Sequence, residues 1–117
     1  MEVWTLEELL EKLLRCPGVL GAFIFGKDGL VISTVGTFAS EPDVIAPSAA
    51  EVLTNVENSF STCQPLSYFE TAGSEALVHI AVINEVTYLY ASADQQVVVG
   101  RLRAEVRQVV QALREIL

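Results

Sequence analysis

The sequence predicts an α/β domain of the α+β kind: a five-stranded antiparallel sheet in the order α-β-β-α-β-β-β-α, one helix on one face and the two terminal helices on the other. Three observations predict it. Leu6, Leu9, Leu10, Leu13 and Leu14 recur at helical spacing near one end of the chain, and Val99, Leu102, Val106, Val109, Leu113 and Ile116 do so near the other. Between them lie short runs rich in β-branched and aromatic residues. Three of the links joining those runs, Lys27-Asp28-Gly29, Gly73-Ser74-Glu75 and Asn84-Glu85, are so short that they imply antiparallel hairpins. At 117 residues the chain reads as one domain, 1–117, long enough to bury a core without staples.

Taken in order, Thr5 and Glu8 form a T-x-x-E capping box, which starts a helix running from Leu6 to Arg15. Cys16-Pro17-Gly18 stops it. Val19 to Gly26 is the first strand, and after the Asp28-Gly29 turn Leu30 to Val35 returns as the second. Gly36 to Pro47, with Pro42 and Pro47, is expected to be a loop. The second helix is expected over Ser48–Phe60, burying Ala49, Val52, Val56 and Phe60 with Leu53 beside them. Its other face, Ser48, Glu51, Thr54, Asn55, Asn58 and Ser59, is small and weakly charged, which suits a mild solvent face and a partner contact equally.

Leu66 to Thr71, Ala76 to Ile83 and Val86 to Ser92 are the remaining strands. The middle one is apolar at nearly every position and is expected to be covered on both faces. A last helix is expected over Gln95–Leu117 with Asp94 as N-cap. Its apolar residues step by three and four, a heptad seam that reads first as a helix lying across a sheet and second as a coiled coil.

Composition excludes several functions. Hydrophobic residues make up 51% of the chain and charged residues 19%, so much apolar surface must be hidden in the fold or against a partner. Net charge is −8 with seven Lys and Arg, too few to replace counterions along a nucleic acid or to hold an anionic membrane surface. Residues 17–100 carry nine acids and one base, Lys27, whereas Arg101, Arg103, Arg107 and Arg114 cluster in the last helix. That segment is either a solvated acidic domain or a surface that steers a basic partner. The sequence MEVWTLEELL is acidic where a signal peptide is basic, no apolar run reaches a membrane span, and Cys16 and Cys63 read as free thiols, all of which predict a cytoplasmic protein. A Cys16–Cys63 disulfide stays open at this level.

Catalytic chemistry finds little support. The single histidine, His79, sits within the most apolar strand and reads as a satisfied cross-strand residue, not as a general base. Acids are scattered, Glu51 and Glu57 fall on different helix faces, and no metal-ligand spacing occurs, so no catalytic residue, cofactor or metal is predicted. Gly26-Lys27-Asp28-Gly29 brackets a hairpin instead of leading a strand into a helix, which rules out a P-loop. Residues 16–100 contain no arginine, so that segment cannot supply an arginine finger to a GTPase.

Leu13-Leu14-Arg15-Cys16-Pro17-Gly18-Val19, then Gly21-Ala22-Phe23-Ile24-Phe25 with Lys27-Asp28-Gly29-Leu30-Val31-Ile32-Ser33, resemble the first helix and hairpin of the Roadblock / dynein light-chain family, and within it the bacterial stand-alone, MglB-like members. Element order extends the resemblance over nearly the whole chain. The resemblance implies the same sandwich and a dimer whose third strands pair edge to edge, here Leu66, Ser67, Tyr68, Phe69 and Glu70. It also implies paired crossover helices and a non-enzymatic role as regulator or scaffold of a small Ras-like GTPase. MglB-like members promote GTP hydrolysis without inserting an arginine finger. The contact face expected here is Ser48, Glu51, Thr54, Asn55 and Asn58. Two other readings stay open: a structural dimerisation subunit of a larger complex, and a small-ligand sensor of profilin-, PAS- or longin-like architecture with a pocket lined by His79, Tyr88 and Tyr90.

Overall fold

The computed structural model describes residues 4–60 and 65–117. The elements are α1 (Leu6–Leu14), β1 (Val19–Gly26), β2 (Val31–Gly36), α2 (Pro42–Phe60), β3 (Tyr68–Ala72), β4 (Ala76–Val82), β5 (Thr87–Asp94) and α3 (Val99–Ile116), in the order the sequence predicts. All five strands form one antiparallel sheet, ordered β2-β1-β5-β4-β3. Three hairpins supply the local pairs, and the long-range β1–β5 ladder closes the middle. The chain therefore leaves one edge at β2 and must restart at the other edge, β3. The 19 residues of α2 make that crossing, since a helix rises about 1.5 Å per residue and four strand spacings need about 19 Å.

Side-chain alternation sorts the core into two layers. Ala22, Ile24, Leu89, Ala91 and Ala81 face α1 and α3 and meet Leu9, Leu10, Leu13, Leu102, Val106, Val109 and Leu113. Phe23, Phe25, Tyr88 and Ile80 face the opposite way, under Ala46, Ala49, Ala50 and Leu53 of α2. The alanines let the helix approach closely enough to seat on an aromatic floor, in which Phe23 stacks on Tyr90 at 4.6 Å. β4 is covered on both faces, as its composition requires, through Ile80 on one side and His79 and Ala81 on the other.

Local chemistry explains most element ends. The Thr5–Glu8 capping box forms in both directions. At the first hairpin Asp28 Oδ1 accepts from Leu30 N–H at 3.1 Å, and Gly29 adopts φ +85°, a conformation that disfavours a side chain. Asn84 Oδ1 accepts from Val86 and Thr87 N–H and from the Thr87 hydroxyl, which fixes the β4–β5 turn.

Three expectations need correction. α2 begins at Pro42, not Ser48. Pro42 occupies the first helical position, where its missing N–H costs nothing, and the Glu41 carbonyl accepts from Val44 and Ile45 N–H. Pro47 is then inside the helix at an exposed position, with the Gly29 turn packed against it. Its buried stripe is Ala46, Ala49, Ala50 and Leu53, the residues that pack with Phe23, Phe25, Ile80 and Tyr88, whereas Val52 and Phe60, expected inside, are 45% and 51% exposed. Asp94 does not cap α3. It ends β5, and its Oδ1 accepts from Gln96 N–H at 2.9 Å, so its side chain is spent on a turn before the helix starts at Val99 without a side-chain cap. The heptad seam of α3 is consumed by the sheet and α1: Leu102, Val106, Val109 and Leu113 are buried, which favours the helix-on-sheet reading over a coiled coil.

Candidate functional site

Two surfaces answer to the sequence expectations. The outer face of α2 exposes Ser48, Glu51, Asn55 and Asn58. Thr54 lies at its margin, half-buried, with its hydroxyl donating to the Ala50 carbonyl at 3.0 Å. The structure adds two residues the sequence reading placed elsewhere. Val44 is 66% exposed and Val52 45%, so the face mixes apolar and small polar groups. Val44 was hidden by the late helix start, and Val52 by the wrong phase of the apolar stripe.

The second surface is the sheet edge. β3 is terminal, as expected, but it spans Tyr68–Ala72, so Leu66 and Ser67 precede it. Val82 N–H donates to the Ser67 carbonyl at 2.9 Å. In antiparallel alternation this turns the backbone groups of Tyr68 and Glu70 away from β4, toward the open edge. Leu66 and Phe69 pack inward on the α2 side. Tyr68 and Glu70 point to the α3 side, where Glu70 bonds Arg103: Arg103 Nε donates to Oε2 at 3.0 Å and to Oε1 at 3.1 Å.

His79 lies opposite Glu70 across the β3–β4 ladder, and its Nδ1–H donates to Glu70 Oε2 at 2.8 Å. Tyr68 stacks on the imidazole at 4.8 Å. His79 is therefore a satisfied cross-strand residue, as expected. The Arg103 guanidinium holds the Glu70 carboxyl below the usual carboxylate range. Burial holds the imidazole below its ordinary 6.5, against the pull of Glu70.

Both shifts act in the same direction. A depressed folded-state value means that the unfolded chain binds protons more readily, so the contribution is present at neutral pH and lost on acidification. The His79 part fades as pH falls below 6.5 and the Glu70 part as pH falls below 4.5. Thermal melts across that range are expected to show a stepwise loss. His79→Gln should flatten the upper step, and Arg103→Ala should shrink the lower one, because the Glu70 carboxyl then returns toward its ordinary value. A parallel decline in all three proteins would discard the network as its cause.

A family model described as the Roadblock/LC7 domain matches residues 5–64, just over half of the chain. The chain belongs to this family. The Roadblock fold is also evident from solved structures. MglB of Myxococcus xanthus superposes with a TM-score of 0.89 at 15% identity, covering 99% of this chain and 97% of that one. The gliding protein MglB of Thermus thermophilus gives 0.85 at 17%, covering 95% and 87%. A Roadblock/LC7 domain from Streptomyces avermitilis gives 0.84 at 20%, covering 92% and 93%. A sequence search of curated proteins found no match.

In this Roadblock domain the sheet separates α2 from the arginine-bearing helices. α1, which Arg15 caps at its C-terminal end, and α3 pack on one face and α2 on the other. Arg114 is further tied down, its Nε donating to the Ile83 carbonyl at 2.7 Å. The sheet also divides the residues of the sensor pocket: Tyr88 and Tyr90 sit on the α2 side, Tyr88 donating its hydroxyl to Glu57 at 2.8 Å, while His79 sits on the α3 side. Those three side chains do not converge, because their register places them on opposite faces of neighbouring strands. Cys16 is a buried free thiol whose pKa burial pushes up. Cys63 lies outside the described residues, and so does any pairing with it. Among the described residues, no three His, Cys, Asp or Glu side chains gather as metal ligands, and no helix is long and apolar enough to cross a membrane.

Proposed function

We propose that the chain is a cytoplasmic, non-enzymatic regulator or scaffold that acts as a homodimer on a small Ras-like GTPase. The observation that supports this best is the outer face of α2. Its apolar Val44 and Val52 stand exposed among Ser48, Glu51 and Asn55, so one helix face combines apolar and small, weakly charged groups. Small polar and apolar residues without a dense charge screen lose little on desolvation, which suits a protein contact. The terminal strand β3 offers the dimer edge, since unpaired strand edges favour a second strand.

Arginine placement supports a particular mechanism. A GTPase seated on α2 has the sheet between itself and α3, so no arginine of that protomer's last helix reaches its nucleotide. The dimer then acts by binding one nucleotide state of the GTPase better than the other and shifting the population toward it. The test is size exclusion with light scattering, alone and with the small Ras-like GTPase of the same organism, in GDP and in a non-hydrolysable GTP analogue. Twice 12.7 kDa alone and a larger mass in only one nucleotide state are expected. A monomer, or a dimer indifferent to both states, would overturn the reading.

A further inference from the structure

On the α3 side of the sheet, where β3 and β4 meet the helix, lies a cavity of about 290 Å³. Its lining includes Tyr68, His79, Arg103, Arg107, Gln111 and Arg114. A chain of net charge −8 with seven Lys and Arg thus gathers three of them around one hollow. Glu70 neutralises Arg103. Among the described residues, Arg107 and Arg114 have no carboxylate partner. Arg114 donates to the Ile83 and Val82 carbonyls, which fixes its guanidinium in place and leaves its charge uncompensated. Arg103 and Arg107 sit one turn apart, where like charges oppose each other on a helix.

Arg107, Gln111 and Arg114 follow one another at four and three residues, so all three project from one face of α3 into the same hollow. The stacked Tyr68 and His79 rings form the facing wall, with Val106 and Val110 also lining the cavity. Two unneutralised guanidiniums match a single dianion, and a guanidinium pairs with phosphate oxygens two at a time. We propose that this cavity binds a small soluble phosphate monoester, its phosphate between Arg107 and Arg114 and its organic body against Tyr68, Val106 and Val110. A monoester carries close to two negative charges at neutral pH. The site is on the face opposite α2 and stands independently of any GTPase contact.

The test is calorimetric titration of the full chain with phenyl phosphate and with inorganic phosphate. Saturable binding is expected for both, tighter for phenyl phosphate because the ring gains the apolar wall. Arg107 is exposed and makes no hydrogen bond or ion pair among the described residues, so Arg107→Ala should keep the wild-type melting temperature. It should weaken phenyl phosphate about tenfold, the scale of one lost charge-assisted hydrogen bond. Arg101→Ala, on the same helix but outside the cavity, should leave affinity unchanged. An absence of saturable binding, or an equal loss in Arg101→Ala, would overturn the proposal. So would binding to phosphatidylcholine vesicles doped with phosphatidic acid without any response to phenyl phosphate.

Discussion

Replacing Asn55 with arginine is expected to abolish GTPase binding while the dimer and its melting temperature stay as they are. Asn55 is exposed midway along α2, with Glu51 and Val52 a turn before it and Asn58 and Ser59 a turn after. Its backbone carbonyl accepts the Ser59 hydroxyl at 3.0 Å, which the substitution leaves intact. Exposed helical substitutions away from caps and packing cost about 0.5 kcal/mol or less, so the fold should not register the change. A contact built on this face would. A long cation there displaces close-packed neighbours and must shed water without a partner, and central contacts of this kind cost about 2 kcal/mol or more, over tenfold in affinity. Thr54→Arg should act in the same direction, with some cost to stability because Thr54 is half-buried. Co-elution with the GTPase in its preferred nucleotide state reads the result. Undiminished binding by both variants would remove α2 as the contact surface.

Tyr68→Pro is expected to halve the mass of the particle, from twice 12.7 kDa to 12.7 kDa. The argument rests on the direction of one N–H group. Since Ser67 already serves the ladder to β4, the Tyr68 N–H points to the open edge, where proline removes a donor needed only by a second strand. Loss of the Tyr68 ring also removes its stack on His79, so Tyr68→Ala is the control. It forfeits the same ring, keeps the donor and should remain dimeric. Phe69→Pro should behave differently again, because position 69 faces β4 and its loss breaks the intramolecular ladder and lowers the melting temperature. Light scattering on the three variants separates these outcomes. A dimeric Tyr68→Pro would place the twofold contact elsewhere.

Much of this architecture is legible in the sequence because it is written in short-range chemistry. The capping box at Thr5 and Glu8, the Asp28-Gly29 turn and the Asn84 turn involve partners two or three residues apart. Their residue types announce them. The alternation and helical spacing that assign eight elements are equally local. The open edge at β3 is expected from the family resemblance, whereas element order alone leaves β3 and β5 equally able to end the sheet, and the β1–β5 ladder decides between them.

The misread positions have a common cause. Pro47 reads as a loop residue locally, yet its neighbours bury Ala46 and Ala50 against Phe23 and Phe25, and that packing outweighs one lost helical hydrogen bond. The small alanines Ala46, Ala49 and Ala50 set the phase of the buried stripe on that aromatic floor, which leaves Val44 and Val52 at the surface. Asp94 had two local options, a cap and a turn, and the β1–β5 ladder, extended by Asp94 N–H bonding the Gly18 carbonyl, selected the turn.

By itself, then, the sequence determined the order of elements and their turns, since each depends on residues within a few positions of one another. Only the tertiary structure decided which side chains share a surface. Glu70 meets Arg103 from 33 residues away, and Tyr88 meets Glu57 from 31. The same sheet sends His79 to one face and Tyr88 to the other. Such pairings depend on strand order and register, which no periodicity in a single strand encodes, because a shift of one residue would exchange every face.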